Sequence, residues 1–141
     1  MTVALTLALS IIAFAAAFHL HWAAGGKLGF SVSLPQEPDG RPIFAHMLAM
    51  WRVGALLVAL GLLSIGALAL AQGKIIEIGL DPNLVRTALL VAGAAFTARA
   101  LAWHRHVGFF KTLRTTRWAR YDTRFYCPLF LTLGLSLLSL I

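Results

Sequence analysis

The side chains able to do acid–base or anion chemistry stand at the ends of long apolar runs. His19 and His21 close the first run, His46 opens the second with Arg52 beyond it, and Arg99, His104 and His106 close the third. Asp122, Arg124 and Tyr126 open the fourth. All five histidines fall at run ends that antiparallel packing would bring to one side. Histidine titrates near neutrality, and arginine presents a planar fork that matches carboxylate and phosphate. The pattern points to an anionic ligand held by Arg52, Arg99 and Arg124, with His21 or His46 as hydrogen-bond donor or proton acceptor. His104 and Tyr126 complete the candidate set. Asp122, the one acid in a basic segment, is expected to be the counter-ion that lets Arg99, Arg120 or Arg124 approach one another. If the ligand is turned over, a histidine would be the general base and Asp122 its orienting partner. No motif demands turnover, and whether the protein is an enzyme is left open.

Spacing restricts what these residues can do together. Two positions on an α-helix differ by about 200°, so only one of His19 and His21, and one of His104 and His106, faces a bundle interior. His46 and Arg52, six apart, also point to different faces. His19, Trp103 and His104 read as interfacial anchors, the usual place of amphipathic rings at a membrane boundary. A charged Arg52 two turns into an apolar run is costly unless paired or hydrated. Two histidines on different helices could ligate a b-type haem, or His21, His46 and His104 or His106 a transition metal. A His-x-His pair on a helix is a poor chelate, and that reading ranks below the anion site. No cofactor is specified.

The elements that must position these residues are membrane helices. Residues 3–22 and 53–73 carry no Asp, Glu, Lys or Arg, and at 1.5 Å per residue each run matches the ~30 Å hydrocarbon thickness. The 141 residues, 60% hydrophobic and 12% charged, make one membrane unit and exclude an ordinary soluble domain. We expect an all-α four-transmembrane-helix bundle with spans near 3–22, 44–72, 84–103 and 125–141. Arg86 and Arg99 in the third span must snorkel or face the interior, and Pro128 falls in the first turn of the fourth, where a missing N–H is tolerated. A cleaved signal peptide is not expected, since no basic segment precedes the first run.

The formal charge of +7 resides in loops, so lipid headgroups rather than nucleic acid are the expected partners. Arg105, Lys111, Arg114, Arg117, Arg120 and Arg124 place the third connection in the cytoplasm, and with it the loop from Ala23 to Arg41; both termini lie outside. The basic connection is read as a loop touching headgroups. Small residues such as Gly54, Gly61, Gly93 and Ala94 would allow close helix approach. The lone Cys127 excludes an internal disulfide and reads as a packing thiol.

His21-Trp22 with Gly25-Gly26, Pro35 and Gly40, then Gly108-Phe109-Phe110-Lys111 and the run Ala119 to Leu129, resemble a family of small bacterial four-helix membrane proteins known as domain of unknown function 3995. The most specific part is Gly-Phe-Phe-Lys followed by Asp-Thr-Arg-x-Tyr-x-Pro-Leu. The resemblance spans almost the whole chain, implies a four-helix inner-membrane protein and supplies no activity. A weak internal echo, His19-x-His21 and His104-x-His106, each followed by a Gly-Phe pair, fits two parallel helical hairpins. Three functions compete: binding of an anionic lipid headgroup or small anionic ligand, a haem or metal redox protein, and an accessory subunit acting as a homodimer or within a larger membrane complex. A channel is disfavoured because the outer half holds few polar residues.

Overall fold

The computed structural model describes residues 2–43 and 50–141, so His46 lies outside the described residues. Among them the chain is helical and contains no strand, only an isolated bridge between Gln36 and Pro42. Helix α1 (Val3–Ala23) starts at Thr2, whose hydroxyl accepts the Leu5 N–H at 3.2 Å. Helix α2 spans Trp51–Gln72. Helix α3 (Pro82–Ala100) is started by the Asp81 carboxylate, which accepts the N–H groups of Asn83 and Leu84, and by Pro82 in the first turn. Helix α4 (Arg117–Tyr121), capped by the Thr116 hydroxyl, runs without a break through a π-helical turn (Asp122–Tyr126) into α5 (Cys127–Leu138).

Two helix ends differ from the sequence-based expectation. Helix α3 stops at Ala100 rather than reaching Trp103, so Trp103, His104 and His106 belong to the following loop. The last helix begins at Arg117, two turns before Phe125, so Pro128 sits inside a helix rather than at its start. A helix-interior proline lacks a donor and its ring collides with the carbonyl four residues back, here Arg124. The wide turn at Asp122–Tyr126 falls where it relieves that collision.

The closest helix pairs are α1 with α2 and α3 with α5; α1 touches α5, and α2 touches α3, less extensively. Leu5, Ala8 and Ile12 of α1 meet Leu89 of α3 and Leu133 and Leu137 of α5 in the core. Helices α3 and α5 approach backbone to backbone: a Cβ on Gly134 would lie 2.7 Å from the Thr97 N atom and 2.8 Å from the Gly93 carbonyl oxygen. At that end of the bundle Gln72 donates to the Leu140 carbonyl at 3.0 Å. At the opposite end the 24–43 and 101–116 loops meet, joined by Arg105 to Glu37 at 3.2 Å, and the Trp118 N–H of α4 donates to Gln36 Oε1 of the first loop at 3.1 Å.

Candidate functional site

The loop end is organised by one buried carboxylate. The π turn widens the helix at Asp122, whose side chain is 0% exposed. Its Oδ1 accepts Arg99 Nη2 at 2.6 Å, its Oδ2 accepts the Gly108 N–H at 3.0 Å and the Cys127 thiol at 3.4 Å, and Oδ2 also stands 3.0 Å from Lys111 Nζ as an ion pair. Lys111, also 0% exposed, donates further to the Gly108 carbonyl at 2.8 Å and to Thr123 Oγ1 at 2.7 Å. Two hydrogen bonds and the ion pair with Asp122 together offset the cost of burying the ammonium. Gly108 takes φ +94°, and a Cβ there would collide with the Ala102 carbonyl, so the loop can fold back under α3 only with glycine at this point. One carboxylate serves two cations, and the cluster keeps a net positive charge.

Arg99 carries that surplus to an open cavity between the helices. Its guanidinium lies 4.7 Å from the ring centroid of Phe130, which stacks on Phe96, and is partly accessible. The cavity, of about 380 Å³, lies between the α1/α2 and α3/α5 pairs and reaches from Ile11 and Leu62 up to the loops, where Ser33, Pro35 and Trp118 line it. Arg99 is the one Arg, Lys, Asp or Glu among its described lining residues; the remainder is mostly aromatic and aliphatic, with Trp22, Trp51 and Trp118 contributing three indoles. His19 lines it too. Its Nδ1 lies 2.8 Å from the Ala15 carbonyl, which can only accept, so Nδ1 carries a proton, and in the neutral ring Nε2 is the acceptor.

The loop roof is held by several bonds. The Tyr126 hydroxyl donates to the Val32 carbonyl at 3.0 Å, Tyr126 stacks on Trp118, and the Trp118 indole donates to the His106 carbonyl at 2.8 Å. Buried His106 places Nε2 3.4 Å from Glu37 Oε1, an ion-pair separation without the alignment of a hydrogen bond.

Of the residues singled out in the sequence, Arg99 and Asp122 are in direct contact and Tyr126 borders the same cavity. His21 turns away from it: its ring packs on Gly26, and Nε2 accepts the Leu28 N–H at 3.3 Å, which shapes the chain leaving α1. Arg52 is exposed at the start of α2 and donates to the Ala23 carbonyl at 2.9 Å, capping α1. His104 is an exposed loop residue whose Nδ1 accepts the His106 N–H. Arg124 lies on the outer surface of the π turn. The expectation that only one histidine of a helical His-x-His pair faces inward applies to α1, where His19 lines the cavity and His21 does not; His104 and His106 lie in a loop, where helical rotation does not govern them, and there His106 is buried. Among the described residues no three His, Cys, Asp or Glu side chains come together as metal ligands.

Lys111 and Trp118 were not anticipated as site residues. Lys111 had been read among headgroup-contacting loop cations, yet it is the most deeply placed cation of the loop. The one signal for it is the motif itself: Gly108, Lys111, Asp122 and Thr123 of the two motif segments form a single polar network with Arg99. Residues 12–137 match the model of the family described as protein of unknown function (DUF3995). No curated protein and no solved structure matches the chain. The matched segment takes in the second half of α1, the whole of α2, α3 and α4, nearly all of α5 and the Asp122 cluster, and the chain belongs to the DUF3995 family.

Proposed function

We propose that this protein is a multi-pass membrane protein that binds an anionic amphiphile in the aromatic cavity, with the acid group on Arg99. Helices α1 and α2 are long and apolar enough to cross a membrane. Large apolar side chains stand exposed on the outward faces of α2 (Leu57, Leu60, Leu63) and α3 (Leu84, Leu90, Val91), a surface suited to lipid rather than water. In this reading α3 and the α4–α5 rod also span, Arg99 reaches inward, and the basic 101–116 loop faces the bacterial cytoplasm.

The observation that carries the proposal is a cavity of ligand size, lined by apolar and aromatic groups, into which a single incompletely neutralised guanidinium projects. Such sites bind molecules with a large apolar body and one polar group whose orientation the charge fixes. Asp122 is shared with Lys111, so Arg99 can accept a second anion without losing its first. His19 offers a proton acceptor on the facing wall.

Dibrominated stearate tests this, because bromine quenches indole fluorescence at short range and three of the four tryptophans line the cavity. Trp103, 83% exposed, is removed by Trp103→Phe. In mild detergent the probe should quench saturably at one equivalent per chain, with unbrominated stearate competing and stearyl alcohol competing poorly. Arg99→Gln should weaken binding roughly 10- to 100-fold, the range for a lost charge-assisted hydrogen bond of about 1.5–3 kcal/mol. Quenching that does not saturate, or that Arg99→Gln leaves unchanged, overturns the proposal.

A further inference from the structure

A second cationic feature lies outside the cavity. Between α1 and the π turn runs a groove whose floor is aromatic, with Phe14 and Phe18 on one wall and Tyr121 and Phe125 on the other, and whose upper edge carries Arg120 and Arg124. Both arginines are exposed, and neither makes a side-chain hydrogen bond or ion pair among the described residues. Standing four residues apart on one helix, they repel each other.

No acid of the chain is placed to neutralise them. Asp122 is the only acid after Asp81, and it is enclosed with Arg99 and Lys111. Glu37 is engaged by Arg105 and His106, and Asp39 by Arg41. Glu77 and Asp81 lie in the connection between α2 and α3, at the other end of the bundle. The two guanidiniums thus keep full charge directly above an apolar, ring-lined channel on a lateral face of the bundle. A phosphate joined to an acyl chain complements both parts at once; a free anion complements only the first.

We infer that this groove seats an anionic phospholipid of the adjoining leaflet, its phosphate between Arg120 and Arg124 and an acyl chain along Phe14, Phe18 and Phe125. The groove shares Phe14, Phe18, Phe125 and Tyr126 with the cavity wall, but Arg99 does not line it, so the lipid phosphate is held by a different pair of cations. The inference rests on the membrane part of the proposed function and is independent of what occupies the cavity.

The test is native mass spectrometry of the full chain from nanodiscs of phosphatidylglycerol and phosphatidylcholine in equal amounts, with wild type, Arg120→Gln/Arg124→Gln and Arg99→Gln. Wild type should retain one phosphatidylglycerol in at least tenfold preference to phosphatidylcholine. The double variant should lose that preference while still showing saturable quenching by dibrominated stearate, which also reports that it is folded. Arg99→Gln should do the reverse. Inorganic phosphate at millimolar level should leave retention unchanged; displacement of the lipid by phosphate would overturn the lipid assignment in favour of a simple anion site. Equal retention of both lipids by wild type, or undiminished preference in the double variant, would overturn the inference. Loss of quenching in Arg99→Gln with phosphatidylglycerol retained would leave it standing.

Discussion

Replacing Asp122 by Asn leaves Lys111 as a charged, fully enclosed ammonium without a counter-ion, and Arg99 unpaired beside it. The Gly108 carbonyl and Thr123 hydroxyl still accept from Lys111, so geometry survives while charge balance does not. Removing one partner of a buried ion pair typically costs about 3–5 kcal/mol, because the remaining charge cannot be rehydrated. Arg99 is partly accessible and adds less to that figure. For a chain of this size the loss corresponds to a drop in Tm on the order of 10 °C. Thermal unfolding in mild detergent measures it, and a double-mutant cycle with Lys111→Met isolates its cause. Lys111→Met alone keeps the Arg99–Asp122 pair and should cost less. With both substitutions the total should fall below the sum of the singles by about 1 kcal/mol or more, since the second change removes the charge that the first stranded. Strict additivity, or an Asp122→Asn variant within about 0.5 kcal/mol of wild type, would refute the view that this carboxylate neutralises the loop end.

Gly134→Ala should destabilise by about 1–3 kcal/mol, because the new Cβ meets backbone atoms of α3 that cannot move without parting the helices; thermal unfolding reports it. Gly61→Ala, where nothing lies within 4 Å, is the matched control and should be neutral or stabilising. Glu37→Gln removes the charge shared by Arg105 and His106 between the two loops that roof the cavity. The pair with Arg105 is exposed and worth less than about 1 kcal/mol, so Tm should hold while release of dibrominated stearate, followed by recovery of tryptophan fluorescence, quickens up to about fivefold.

The helices were legible because apolar runs of membrane length leave few alternatives, and α1 and α2 begin and end within two residues of the charge-free runs. That Asp122 acts as a counter-ion was legible from scarcity, since a lone acid among cations has few other roles; that its arginine is Arg99 rather than Arg120 or Arg124 was not. Lys111 was not, since lysine in a loop of arginines reads as solvated, and only the fold-back at Gly108 brings it under α3. The early start of the last helix was hidden by Pro128, which signals a helix beginning unless a π turn makes room for it. Rotation about a helix axis decides which histidine faces inward only in α1, since His104 and His106 lie in a loop. At the end of α1 the choice falls on His19, because His21 is taken up by the turn through Gly26 and Leu28.

The most direct test of the account is a native mass spectrum of the protein released from its own membranes without added lipid or detergent-exchanged ligand, wild type beside Arg99→Gln. The account predicts one additional acidic, apolar mass per wild-type chain that Arg99→Gln lacks. Bare wild-type protein, or the same mass on both, would contradict it.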